Sequence, residues 1–234
     1  MAKLPPIPWE QSIPTHRKLS MKRAGIVIDL RRCIGCHSCS VSCKTEHDIA
    51  LGDFRNRVRY LEHKERKTLS FLPQMCMHCQ DAPCMNACES QAIIKLADSS
   101  IVIDQDKCMG DQTCIAACPY DAIYIDRETQ QVDKCDLCTH RTSLGQAPAC
   151  VSTCPTGALL FGDLDNPADP VTQFSVSHNA VPFKASEGTK PNVLYVGLEA
   201  WMEDAQTGVQ ISELDNEIIY EQKLTITGAQ ADEK

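Results

Sequence analysis

Aromatic residues are scarce in this sequence: Trp 2, Tyr 5 and Phe 5 among 234 residues, or 5%. A chain of this length with so few large rings depends on something besides a hydrocarbon core. Missing too is any apolar run near the roughly 20 residues that a membrane-spanning helix requires, so no transmembrane segment is expected. Residues 1–23 are polar and hold Pro5, Pro6, Pro8 and Pro14 but no apolar stretch for an export machinery to read. The expectation is a chain without an export signal of its own. Arg31-Arg32 runs directly into Cys33 instead of into an apolar stretch, which argues against a twin-arginine signal. No glycine-rich nucleotide loop, no nucleophile with a placed base and no pterin or flavin motif occurs, so no catalytic site is expected. Basic charge is in deficit, 23 Lys+Arg against 31 Asp+Glu, for a net charge of −8. That balance repels phosphate backbones and argues against nucleic acid as a partner.

Cysteine, by contrast, is abundant: 15 residues, all between Cys33 and Cys154. Their distribution divides the chain into an N-terminal extension (1–23), a cysteine-dense region (24–161) and a cysteine-free tail (162–234). A disulfide framework expects a short secreted chain, an even count and a signal peptide, and none of these is found. Metal is the better candidate. Local charge adds a basic segment, Arg55, Arg57, Arg59, Lys64, Arg66 and Lys67, and an acidic one, Glu213, Asp215, Glu217 and Glu221. Both fit solvated faces, with a protein interface as the alternative.

The dense region repeats itself. Ile26-Val27-Ile28-Asp29 leads after three residues to Cys33, and Ile101-Val102-Ile103-Asp104 leads after three to Cys108. Cys88, Cys118 and Cys154 each open a Cys-x3-Ala-(Ile/Leu) segment. Each unit therefore predicts a short strand, a cysteine loop, a helix of one or two turns and another short strand. Pro119 and Pro155 mark helix ends. Strands of three to five residues build no large sheet, so the fold class is α+β, loop-rich and made of small elements. The turn-rich tail reads as an extension that wraps a partner, with 228–234 small and polar.

Four cysteine groups follow from the spacing. They are Cys33-x2-Cys36-x2-Cys39-x3-Cys43, Cys76-x2-Cys79-x4-Cys84-x3-Cys88, Cys108-x2-Asp111-x2-Cys114-x3-Cys118 and Cys135-x2-Cys138-x11-Cys150-x3-Cys154. Three thiols in a tight run with a fourth one helical turn later is the bacterial ferredoxin pattern. The tight loop offers three thiolates to one cubane cluster, and the fourth cysteine points to a neighbouring one, so clusters come in pairs. Zinc prefers two separated pairs, which ranks it well below iron–sulfur. Asp111 stands where a cysteine belongs. Its carboxylate either binds the fourth iron of a 4Fe–4S cluster or leaves that corner vacant as a 3Fe–4S cluster. Sulfide-bridged iron prefers thiolate, which favours the three-iron form. His37, His78 and His140 lie beside cluster cysteines and tune a cluster without binding it, or face solvent. Met75, Met77, Met85 and Met109 fill irregular gaps. Lys44, Lys134 and Arg141 offset thiolate charge or are solvated.

The group order, the enlarged gaps in groups two and four, Ile28-Asp29 before Cys33-Ile34-Gly35-Cys36, Lys44 after Cys43, and Lys190-Pro191-Asn192-Val193 carry a resemblance. From Ala24 to Val196 the chain resembles the four-cluster electron-transfer (beta) subunits of the dimethyl sulfoxide reductase superfamily of molybdenum or tungsten enzymes. The resemblance implies two ferredoxin-like, double-cluster halves packed together, pairing groups one with four and two with three. One cluster then takes Cys33, Cys36, Cys39 and Cys154, and its mate Cys135, Cys138, Cys150 and Cys43. A third takes Cys76, Cys79, Cys84 and Cys118. The fourth takes Cys108, Cys114 and Cys88 with Asp111. Three 4Fe–4S clusters plus one 3Fe–4S cluster, or an Asp-ligated 4Fe–4S cluster, are expected, the fourth lying furthest from the catalytic subunit. The implied partners are a molybdopterin catalytic subunit and a quinone-linked membrane anchor or cytochrome. Periplasmic location by co-export with a signal-bearing partner is implied, with the cytoplasmic side of the membrane as the alternative. Competing assignments are an iron–sulfur subunit of a formate dehydrogenase or hydrogenase assembly and a free polyferredoxin.

Overall fold

The computed structural model of the protein describes residues 21–63 and 66–203 and the backbone of 208–210. Most of the 1–23 extension, Lys64, the acidic residues from Glu213 to Glu221 and the end of the tail lie outside the described residues.

An uninterrupted apolar segment becomes the central strand. All six residues of β1 (Ala24–Asp29) are buried, and the run of Ile26, Val27 and Ile28 suits an interior strand covered on both faces. β1 pairs antiparallel with β8 (Leu159–Asp163), Ile26 opposite Phe161, and parallel with β10 (Val193–Val196), Ile26 opposite Val193. β9 (Val181–Pro182) closes the far edge, giving the order β8-β1-β10-β9. Alternation sends Ile26 and Ile28 into the main core with the cysteines, and Val27 into a smaller one with Leu164, Val171 and Val196. α6 (Pro170–Ser177) covers that second face, begun by Pro170 and by Asp169, which accepts the Val171 N–H at 2.8 Å.

Gly162, where the tail was expected to begin, falls inside β8, and β10 within that tail also pairs with β1. The cause is the backbone of β1. An interior strand needs ladder partners on both edges, and the partners lie at and beyond the end of the cysteine region.

The remaining sheets are small. β2 (Asn56–His63) and β3 (Thr68–Met75) form a hairpin of eight-residue strands, longer than the three to five residues expected, with β11 (Gly208–Gln210) along the free edge of β2. Pro73 sits on β3, an edge strand, where a missing N–H breaks no ladder. Two short hairpins follow, β4 (Ile93–Lys95) with β5 (Ile101–Ile103), and β6 (Ile123–Ile125) with β7 (Val132–Lys134). Both Ile-Val-Ile-Asp segments are strands as expected, but one is the centre of four strands and the other half of a hairpin. The helices are short: α1 (Ser38–His47), α2 (Pro83–Ala87), α3 (Thr113–Ala117), α4 (Thr139–Thr142) and α5 (Ala149–Ser152). Pro119 and Pro155 fall just past α3 and α5, and α1 packs on α5 as α2 packs on α3. The α+β, loop-rich class is the one observed.

Tyr195 of β10 is fully buried and its hydroxyl donates to the Pro73 carbonyl on β3 at 2.8 Å, tying the two larger sheets together. Burial pushes this phenol well above its ordinary value of 10.0. Because the folded value is the higher one, the contribution to stability is whole below about pH 10 and is lost as pH rises beyond it. Tyr195→Phe orphans the Pro73 carbonyl and should cost about 1–3 kcal/mol in denaturant unfolding near neutral pH. Repeating the titration at about pH 11 should narrow the gap, since the variant lacks the phenol that ionises on unfolding. An unchanged gap would refute this account of Tyr195.

Candidate metal centres

Each pair of packed helices carries cysteines four residues apart. α1 holds Cys39 and Cys43, and α5 holds Cys150 with Cys154 just beyond its end. α2 holds Cys84 with Cys88 at its cap, and α3 holds Cys114 with Cys118 at its cap. The first cysteine of each helix faces one thiol group and the second faces the next, so facing helices exchange their last thiols.

Cys33, Cys36, Cys39 and Cys154 line one cavity, with Val58 and Leu159. Cys76, Cys79, Cys84 and Cys118 line another, with Ala82, Ile101 and Ile123. Cys43, Cys135, Cys138 and Cys150 lie within electrostatic reach of one another. Cys114 likewise lies near Cys88, Cys108 and Asp111. Contacts between groups fix their order: Cys150 lies near Cys39, and Cys135 near Cys76. The group of Cys33 comes first, then that of Cys135, then that of Cys76, and the α2–α3 contact adds that of Cys108. Cys36 and Asp111, at the two ends, are exposed, whereas Cys135 and Cys150, in the interior, are buried.

All 15 cysteines are free thiols. Burial pushes Cys39 and Cys79 up to about 11 and Cys43 and Cys84 up to about 12. Buried thiols this reluctant to ionise become thiolates when a metal takes the proton's place. Against the upward push of burial, hydrogen bonds bring Cys88 and Cys154 below the ordinary thiol value, from Ser90 and the Ile93 and Ala92 N–H groups and from the Leu159 and Ala158 N–H groups with Thr156. His78 is fully buried, not exposed, and its Nδ1 accepts the Ile101 N–H at 2.9 Å. The proton must then sit on Nε2, and that donor has no protein partner. A soft, sulfur-rich donor set in apolar cavities fits sulfide-bridged iron.

The polar residues divide. Lys134 is fully buried and donates to the Ile101 and Cys135 carbonyls, and Lys44 donates to the Ala50 and Asp53 carbonyls. Arg141 pairs with Glu46 at 3.0 Å, and exposed His140 bonds the same carboxylate at 2.7 Å. His37, half-buried, stacks on Tyr60. Met75 and Met77 are buried as gap-fillers should be, but Met109 is 70% exposed, because the loop around Gly110 has nothing above it. Asp111 Oδ1 accepts the Thr113 N–H at 3.1 Å and the Thr113 hydroxyl at 2.9 Å, tying the carboxylate to the start of α3. Within the basic segment, Arg55 pairs with Asp133, Arg57 with Asp121 and Arg66 with Glu199. These three cations are engaged inside the chain.

His47 was not singled out by the spacing of cysteines, yet its Nε2 lies 3.2 Å from Cys138 Sγ. The signal that finds it is helical: Cys39, Cys43 and His47 recur every four residues on one face of α1. Desolvation, then the Arg55 charge, holds this imidazole below its ordinary value.

Residues 67–164 match the family model of the 4Fe–4S dicluster domain, which defines an iron–sulfur protein. One subunit of the tetrathionate reductase of Salmonella typhimurium is 40% identical over 190 residues, spanning 79% of this chain and 76% of that protein. One component of the polysulfide reductase of Wolinella succinogenes is 37% identical over 180 residues, 75% of this chain and 94% of that one. The arsenate respiratory reductase iron–sulfur subunit of Shewanella sp. strain ANA-3 is 30% identical over 234 positions, 74% and 96% of the two chains. The protein belongs to the iron–sulfur electron-transfer (beta) subunits of the dimethyl sulfoxide reductase superfamily. It is an electron-transfer subunit, and no helix among the described residues is long and apolar enough to cross a membrane.

Gly35, between Cys33 and Cys36, has φ +66, and a Cβ there would stand 2.3 Å from the Phe71 ring. Phe71 is itself braced edge-on by Tyr60, whose hydroxyl donates to the Gly35 carbonyl at 2.6 Å. Gly35→Ala combines a left-handed backbone penalty of about 1–2 kcal/mol with a clash that this ring cannot relieve cheaply. Iron per purified chain should fall by one cluster's worth, and full iron content in the variant would refute the role given to this turn.

Proposed function

We propose that the chain holds four clusters, in the order of the four thiol groups, and passes electrons between a molybdopterin catalytic subunit and a quinone-linked membrane anchor or cytochrome. What supports this reading is the packing of α1 on α5 and of α2 on α3, with Cys135 near Cys76 between the two pairs, so that group follows group from exposed Cys36 to exposed Asp111. Iron–sulfur clusters supply one-electron transfer. The protein supplies their order, the apolar walls and the hydrogen bonds at sulfur. In this proposal the ligand sets are Cys33, Cys36, Cys39 and Cys154; Cys43, Cys135, Cys138 and Cys150; Cys76, Cys79, Cys84 and Cys118; and Cys88, Cys108 and Cys114. The helix exchange is what two ferredoxin-like halves would show. In this proposal the tail contacts these partners, one of which attaches the complex to the membrane. We place that complex on the periplasmic side, reached by co-export with a partner bearing the signal.

For the last group, three thiols and three irons are the better match. The carboxylate of Asp111 already serves Thr113, and a hard oxygen is a poor ligand for sulfide-bridged iron.

Purified with its partners and oxidised, the complex should show the paramagnetic signal of a three-iron cluster, and Asp111→Cys should abolish it while adding one iron per chain. A wild type without that signal would make Asp111 a ligand. Zinc in place of iron and acid-labile sulfide would sink the proposal as a whole. Mass spectrometry of the co-purified subunits identifies the partners, and a chain that purifies alone with full clusters would favour a free carrier.

A further inference from the structure

We infer that His47 is a redox-tuning residue: its Nε2–H donates to Cys138 Sγ and raises the reduction potential of the cluster held by Cys43, Cys135, Cys138 and Cys150. The inference rests on the proposed ligand set. Nε2 lies 3.2 Å from the sulfur, and Nδ1 lies 2.9 Å from Arg55 Nη1. A guanidinium can only donate, so Nδ1 accepts and the ring proton belongs to Nε2. Arg55 is itself locked, with Nε 2.7 Å and Nη2 2.9 Å from the carboxylate of Asp133, which also accepts the Tyr124 hydroxyl at 2.6 Å. The Asp133 carboxylate thus accepts from Tyr124 and Arg55 and holds the guanidinium in place, and Arg55 in turn fixes His47, whose remaining N–H ends on sulfur.

Two other roles for the imidazole fail on the same geometry. Asp136 Oδ1 lies 3.7 Å from Nε2, beyond hydrogen-bond reach, and already accepts the Cys138 N–H at 2.8 Å. His47, Asp136 and Cys138 also lie close enough to hold a separate metal ion. The Arg55 guanidinium, 3.4 Å from Asp136 and bonded to the imidazole, sets a fixed positive charge beside two of those three ligands, which repels a cation.

The consequence for the cluster is electrostatic. On reduction the cluster gains one electron and no bond is made or broken, and the proton stays on Nε2. The added charge spreads over the thiolate sulfurs, so an N–H aimed at one of them stabilises the reduced form more than the oxidised form. Cys135 and Cys150 belong to the most deeply buried group, where desolvation disfavours further negative charge. His47 offsets that penalty at the position in the sequence of clusters where it is greatest.

The test is potentiometry of the full chain in its complex, followed by EPR, after iron and sulfide content have been measured. His47→Asn keeps an acceptor for Arg55 but falls short of the sulfur, whereas His47→Gln carries an amide N–H that can reach it. One couple in the Asn variant should become harder to reduce by at least tenfold in its equilibrium constant, about 59 mV for a one-electron step, and the Gln variant should recover most of the shift. Unchanged potentials, or equal shifts in both variants, would overturn the inference. If the Asn variant loses its cluster, pulsed EPR on protein with isotopically labelled histidine decides instead. The reduced wild type should show a histidine-nitrogen coupling that the Gln variant lacks, and identical spectra would overturn the inference. A wild type lacking a cluster at these four cysteines would refute the ligand set instead.

Discussion

The geometry of a single helical turn governs this protein. Two cysteines four residues apart stand one turn, about 6 Å, apart along a helix, and here the loop before each helix holds the first on one thiol group while the second reaches the next. Each helix must therefore serve two groups, and a second helix must return the missing thiol. α1 with α5, and α2 with α3, are the two solutions of that constraint. Each exchange joins two neighbouring groups, and the nearness of Cys135 to Cys76 joins the two pairs, so the order of the groups follows from how the chain packs.

The same arrangement creates the problem that the polar residues solve. Thiols sunk among Ile101, Ile123 and Val58 are costly to ionise, and much of the nearby polar machinery consists of donors. Lys134 and Lys44 bridge backbone carbonyls beside cysteines, the backbone N–H groups after Cys88 and Cys154 point at sulfur, and His47 and His78 each hold a ring proton fixed by a partner on the opposite nitrogen. Donors predominate because the cofactor presents acceptors.

How much was legible in the sequence differs between the sites and the fold. The spacing of Cys33 to Cys43 states a loop and a helical turn, and that local geometry is what places the thiols, so the groups could be read without a structure. β1 announced itself as a buried strand through Ile26, Val27 and Ile28. What covers it could not be read, because the pairing with Val193 joins distant segments whose own patterns are short. A change of character at Gly162 is the expectation that this leaves. The pairing of the basic residues was hidden for a related reason: Arg55, Arg57 and Arg66 are close together along the chain, and their partners Asp133, Asp121 and Glu199 lie far from them in sequence. His47 was hidden because cysteine spacing says nothing of the other residues on the same helical face.

The parallel pairing of β1 with β10 has a consequence for how the protein is made. β1, the first strand among the described residues, waits for one of the last of them, and Cys33 likewise waits for Cys154. A fold with such distant closures has high contact order and forms slowly, with β1 and its unpaired edges exposed throughout synthesis. The group of Cys76, Cys79, Cys84 and Cys118 can assemble from sequence neighbours well before the first group closes. Assembly therefore runs from the middle of the chain outward, so the cluster site nearest the start of the sequence is completed last.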